Sequence, residues 1–227
     1  MNIFRALTTS LSLIGYIFIC GCGNGVDGGA DIRYVALGAS ETTGVGASPI
    51  GNSYVHRIKN GIEDQGKSVN QLNYGIPDIE IGGLRDVELR ALDLGPKPDI
   101  VTLFVGGNDL IAGTTTDDFE GNLDAVLNHI SKISGVDVFV ADLPDLTKLP
   151  RFVENPDPDV TEARVRAYNV IIANICARYG AVLVHISAAP DDPALISDDG
   201  LHPNNAGYQT ITGDFLNEML PVIYAAS

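Results

Sequence analysis

Arg33-Tyr34-Val35-Ala36-Leu37-Gly38-Ala39-Ser40-Glu41-Thr42-Thr43-Gly44-Val45-Gly46-Ala47 is the stretch on which the reading of this chain turns. Tyr34 to Leu37 is a short apolar run of the kind that forms a buried strand. Gly38 ends it, and a Gly-rich segment follows. A strand of this kind leaves the next small residue at the carboxyl edge of the sheet, where open α/β folds place their sites. That residue is Ser40. A Gly-x-Ser turn taken alone is only a tight turn, so its meaning depends on the remaining chain.

Downstream, strand-like and helix-like segments alternate. Residues 52–65 have helical spacing at Tyr54, Val55, Ile58 and Ile62, and 68–74 reads as a strand. Residues 83–94 are predicted helical, with Leu84, Val87, Ala91 and Leu94 along one face. Residues 99–105 are apolar on both faces, as a central parallel strand must be. A second helix over 117–133 carries the stripe Phe119, Leu123, Val126, Leu127 and Ile130. A strand over 137–143 follows. Thr161 opens a helix with Val165, Tyr168, Ile172 and Ile175 inward, and Gly180 closes it. Residues 181–186 form the last strand and 205–224 the last helix, in which Gly213 and Pro221 favour a weak point or bend. Five strands separated by helices imply a parallel sheet covered on both faces, in one domain. The one long segment read as irregular is 143–159, rich in Pro and Asp, with Leu146, Leu149, Phe152 and Val153 as a wall or cover for the site.

The 227 residues and 45% hydrophobic content suffice for a sizeable core. A formal charge of −15 argues against nucleic-acid partners and against electrostatic attraction to an anionic membrane. Residues 1–22 read as a signal segment: Arg5 is its only charge, and the apolar run from Ala6 to Ile19 is shorter than the ~20 residues of a membrane span. The run ends in Ile19-Cys20-Gly21-Cys22, which resembles the lipobox of bacterial lipoproteins with Cys22 as the lipidated residue. The expected product is an exported, membrane-anchored protein of the cell envelope, with a flexible tether over 23–31 and its domain over 32–227. Cys176 then stands alone in an apolar helical stretch, a core residue, with no disulfide framework and no Cys/His cluster for a metal.

Three later segments fall at the same sheet edge as Ser40: residues 73–78 (Asn-Tyr-Gly-Ile-Pro-Asp), 106–109 (Gly-Gly-Asn-Asp) and 198–204 (Asp-Asp-Gly-Leu-His-Pro-Asn). A serine hydroxyl is a poor nucleophile until a base takes its proton, and the base needs a partner that fixes its tautomer. Asp199 and His202 supply such a pair. Asn108 offers an amide donor, and backbone N–H groups at Ser40 and near Asp78 add to it as an oxyanion hole. Taken singly, Asp-x-x-His is also a helix cap and Gly-Gly-Asn-Asp a turn. His56 and His129 within helices and His185 within the last strand read as structural.

These blocks resemble the SGNH hydrolase superfamily, the GDSL-type lipases and esterases, from Tyr34 to about Tyr224. The resemblance implies a three-layer α/β/α sandwich on a five-stranded parallel sheet, flavodoxin-like in arrangement. It implies Ser40 as nucleophile, Asn108 as oxyanion donor, and Asp199 and His202 as the rest of a triad. There are two departures. The usual Gly-Asp-Ser reads Gly38-Ala39-Ser40, so a supporting carboxylate is missing. Asp78 stands where the family commonly has a glycine whose N–H serves the oxyanion; Gly75 is the alternative donor. The expected activity is hydrolysis of carboxylic esters with small or medium acyl chains, lysophospholipid or thioester among them, without cofactor or metal. A carbohydrate O-acetylesterase and a non-catalytic surface-anchored binding protein are the alternatives. The absence of tryptophan weighs against sugar stacking.

Overall fold

The computed structural model describes residues 29–225. The expected signal segment, the lipobox at Cys22 and most of the tether lie outside them. Five strands, β1 (Ile32–Gly38), β2 (Val69–Asn73), β3 (Ile100–Phe104), β4 (Asp137–Ala141) and β5 (Val182–Val184), form one sheet in the order β2-β1-β3-β4-β5. Every neighbouring pair is parallel. All five residues of β3 are buried, as the unbroken apolar run requires of a central strand.

Between the strands run α1 (Ser40–Thr43), α2 (Tyr54–Glu63), α3 (Ile81–Leu94), α4 (Gly107–Ile111), α5 (Thr116–Ile130), α6 (Pro150–Glu154), α7 (Glu162–Tyr179) and α8 (Asn205–Ala225). Helices α2 and α8 pack together, and α3, α5 and α7 pack in series, forming the outer layers of an α/β/α sandwich. The Tyr54 ring of α2 stacks on Phe215 of α8 at 5.1 Å, and Phe119 of α5 on Tyr168 of α7 at 4.0 Å. Such pairs contribute about 0.5–1.5 kcal/mol beyond their buried area. Helix α7 starts and stops where its sequence signals stand: the Thr161 side chain caps Arg164 N–H, and Gly180 takes the left-handed conformation. Helix α8 continues through Pro221. Among the described residues, no helix is long and apolar enough to cross a membrane.

Three local expectations need correction. The inward stripe of α3 is Ile81, Leu84, Glu88, Leu89 and Leu92, while Val87 and Leu94 are exposed. The face that α3 turns inward thus includes Glu88 and differs from the stripe read from hydrophobicity alone. The segment 143–159 is not irregular: it holds a 3-10 turn at Leu146–Lys148 and α6. Its Leu146, Leu149 and Phe152 are buried, whereas Val153 is exposed. His185 lies just past β5 rather than within it; its Nδ1 is 2.7 Å from Asp142 Oδ2, and its side chain is exposed. Cys176 is buried, and burial pushes its thiol up to about 11, so it stays an unreactive core residue.

Candidate active site

The site is assembled where β1 and β3 lie side by side, the point at which the strand order reverses and open parallel sheets leave a crevice. β1 runs into a turn that only glycine permits: Gly38 has φ 141°, and a Cβ there would stand 2.2 Å from the Phe104 carbonyl oxygen. Ala39 N–H bonds that same carbonyl at 3.2 Å. Ser40 follows as the first residue of α1, buried at 3% exposure. Its N–H, as the first of a helix, has no intrahelical acceptor.

The carboxylate missing at Ala39 has a counterpart from another element. Glu88 of α3, 1% exposed, accepts Gly38 N–H at 2.8 Å. Burial outweighs its backbone hydrogen bonds and pushes its carboxyl up to about 8, so it is protonated at neutral pH. Its second oxygen, Oε1, has no partner among the described residues. Sequence reading missed Glu88; the signal was a Glu four residues after Leu84, on the spacing of a buried face.

The turn before α8 holds Asp199 and His202. Asp199 Oδ1 accepts from Ser197 Oγ at 2.9 Å, Leu201 N–H at 2.8 Å and His202 N–H at 2.9 Å. Its Oδ2 is 2.7 Å from His202 Nδ1. Desolvation raises the Asp199 carboxyl, but these donors outweigh it and hold it well below the usual carboxylate range. An ionised acceptor at Nδ1 fixes the proton there and leaves Nε2 as the basic nitrogen. Helix α6 braces this turn through Arg151 N–H, which donates to the Gly200 carbonyl at 3.0 Å.

The Gly-Gly-Asn-Asp block forms the end of β3 and the start of α4. Asn108 Nδ2 donates to the Ile79 carbonyl at 3.0 Å, using one of its two protons. Asp109, fully buried, accepts Ile81 N–H with both oxygens at 3.2 and 3.1 Å, and burial pushes its carboxyl up to about 6. Together they pin the 73–81 loop against β3. In that loop Gly75 N–H is committed to Asn73 Oδ1 at 3.0 Å. Asp78 is exposed and takes φ 59°, the left-handed conformation natural to glycine. The non-glycine residue has thus kept the glycine backbone, with its carboxylate on the surface.

Ser40, Asn108 and His202 line one cavity, and Asp199 reaches it through His202; Asp78 and Gly75 do not line it. The walls are apolar: Phe104, Val105 and Ile111 on one side, Leu143, Leu146 and Leu149 from the 143–159 segment on another. Ile186, Leu195 and Ile196, between β5 and α8, add to the lining. His56 and His129 stand apart in α2 and α5, bonded to Ser53 Oγ and Asp93. Among the described residues, no group of three or more His, Cys, Asp or Glu side chains could hold a metal ion.

A doubly wound parallel sheet with these groups around one apolar cavity defines a carboxylic ester hydrolase on an α/β/α sandwich. The GDSL-like Lipase/Acylhydrolase family matches residues 36–210, and the chain belongs to it. Solved structures share the fold. The psychrotrophic esterase EstA from Pseudoalteromonas sp. has 16% identity and a TM-score of 0.70, covering 85% of this chain and 99% of that one. A Clostridium thermocellum family 3 carbohydrate esterase has 23% identity and a TM-score of 0.69, covering 86% and 98%. The acetylxylan esterase Axe2 from Geobacillus stearothermophilus has 20% identity and a TM-score of 0.65, covering 84% and 94%. No curated protein matches the chain.

Proposed function

We propose that this chain is a serine esterase in which Ser40 is the nucleophile, His202 the base and Asp199 the group that orients it. The observation that carries this reading is the meeting of Ser40, Asn108 and His202 at one apolar cavity, with Nδ1 of His202 held by Asp199 at 2.7 Å. Ser40 Oγ attacks the ester carbonyl carbon while His202 Nε2 takes its proton. Hydrogen bonds of this kind commonly tighten only when substrate arrives. The oxyanion is met by the free Nδ2 proton of Asn108 and the Ser40 N–H, which share the cavity with His202. Each such donor is worth about 3–4 kcal/mol to the transition state. Neither loop donor is assigned this role: Asp78 and Gly75 lie outside the cavity lining, and Gly75 N–H is already bonded within its own turn. The imidazolium returns its proton to the leaving alcohol, and water then cleaves the acyl-enzyme by the same route, with no metal or cofactor.

The apolar walls favour small or medium acyl chains over bulky polar groups. A series of p-nitrophenyl esters from acetyl to long-chain acyl tests this: we expect a kcat/KM maximum between about four and eight carbons. A sharp preference for acetyl would replace this substrate class with carbohydrate acetyl esters. We also propose that the chain is exported and anchored through a lipid on Cys22, on the strength of Gly21-Cys22 closing the apolar run. Cys22→Ser is expected to move the protein from the membrane to the soluble fraction; an unchanged distribution would remove the anchor from the proposal.

A further inference from the structure

Beyond Ser40, Asn108 and His202 the cavity lining holds one further polar side chain, Glu41, the residue after Ser40. No Lys or Arg lines the cavity with it. Among the described residues, the hydrogen bond to its carboxyl comes from its own backbone N–H. His202 lines the same cavity with Asp199 behind it, and Tyr208 of α8 and Tyr54 of α2 are near enough to feel the charge of Glu41; burial pushes the Glu41 carboxyl up, and His202 partly offsets this. Tyr208 gives its hydroxyl proton to the Val45 carbonyl at 2.6 Å, and Tyr54 Oη is 2.8 Å from Thr42 Oγ1. Neither is bonded to Glu41.

A partly buried carboxyl with no Lys or Arg beside it and only its own N–H as donor costs free energy that an apolar side chain would spare. The cost falls when a bound molecule supplies the missing cation. In the mechanism above His202 hands its proton to the leaving alcohol, so a charged group that lines the same cavity as His202 acts on the alcohol half of the ester. We propose that Glu41 selects that half by charge, favouring esters of ammonium-bearing alcohols over neutral esters of the same shape. The inference rests on the serine reading of the site.

A choline ester and its 3,3-dimethylbutyl isostere, which has carbon in place of the charged nitrogen, separate charge from shape. Both carry the acyl chain preferred in the p-nitrophenyl series and are assayed at pH 8 and low salt with the wild-type chain, Glu41→Gln and Ser40→Ala. In the wild type kcat/KM for the choline ester should exceed that of the isostere about 5- to 20-fold. In Glu41→Gln the ratio should fall to near one, whatever the absolute rates. A folding defect would lower both rates together and leave the ratio in place. The net charge of −15 changes by only one in this variant, so loss of the preference would locate it at Glu41 and not in the general field. A wild-type ratio near one, an unchanged ratio in Glu41→Gln, or no turnover of either ester overturns the inference. Should Ser40→Ala hydrolyse both esters at the wild-type rate, the serine reading itself fails. If Ser40→Ala is inactive and the ratio ignores Glu41, only the selection by charge is lost.

Discussion

Ser40→Ala is expected to lower kcat for ester hydrolysis by at least about 10⁴-fold while the protein keeps its fold. Ser40 forms the first residue of a four-residue helix, and its Oγ makes no hydrogen bond to the rest of the described chain. The turn is held by other groups: Gly38 N–H by Glu88, Ala39 N–H by the Phe104 carbonyl, and Gly38 carbonyl by Ile76 N–H at 3.0 Å. Removing one hydroxyl from this frame leaves every one of those bonds in place. Stability should change by less than about 1 kcal/mol, within the range of substitutions that break no packing or hydrogen bond. Steady-state kinetics beside thermal unfolding of the same samples checks both halves. Retention of more than a trace of the wild-type rate would exclude Ser40 as the nucleophile.

Glu88→Gln should stabilise the protein in a pH-dependent way, by roughly 2–4 kcal/mol at pH 7.5 and by nearly nothing at pH 4. The sign follows from where the proton sits. In the unfolded chain this carboxyl titrates near its ordinary value of 4.5, and in the folded protein near 8. Below about 4.5 both states hold the proton and Glu88 has no effect on the pH dependence. Between 4.5 and 8 the unfolded state has released it while the folded state keeps it. Folding stability therefore falls as pH rises, by about 1.4 kcal/mol per unit, and levels off above 8. Glutamine cannot ionise, and its carbonyl still accepts Gly38 N–H. The atom it adds replaces an oxygen that already lacks a partner. Denaturation of wild type and Glu88→Gln at pH 4, 6 and 7.5 measures the difference; a gap that does not widen with pH would show that Glu88 is ionised in the folded protein. Glu88→Leu orphans Gly38 N–H beneath the Ser40 turn at a cost of about 1–3 kcal/mol, so it should destabilise at pH 4 and lose that deficit by pH 7.5, where it too escapes the ionisation penalty.

The frame under Ser40 thus draws on β3, α3 and the 73–81 loop, three elements far apart in sequence. The same is true of the walls. Leu143, Leu146 and Leu149 belong to a segment whose Pro and Asp content masked its helical turns, and which Arg151 N–H fastens to the Asp199–His202 turn. As a wall braced by that bond it shapes the cavity.

Much of this molecule was legible in its sequence because the signals are local. Strand and helix periodicity is a property of neighbours along the chain, and the stripes at Tyr54–Ile62 and Phe119–Ile130 are buried residue for residue. The Asp199–His202 pair is legible for the same reason: three residues in a tight turn leave little freedom in how the two side chains meet. What tertiary structure alone decided are the contacts between distant segments, where no periodicity constrains the partner. Glu88 counted as a polar position until β1 came to lie against it, and Val87 and Leu94 as core until the helix turned its carboxylate inward. Asp78 could be judged only from its backbone, which keeps φ 59° because Asn108 and Asp109 clamp the loop from outside its own sequence. Nothing in the sequence set Glu41 apart, and its place in a largely apolar cavity exists only once β3, the 143–159 segment and the turn before α8 have closed around it.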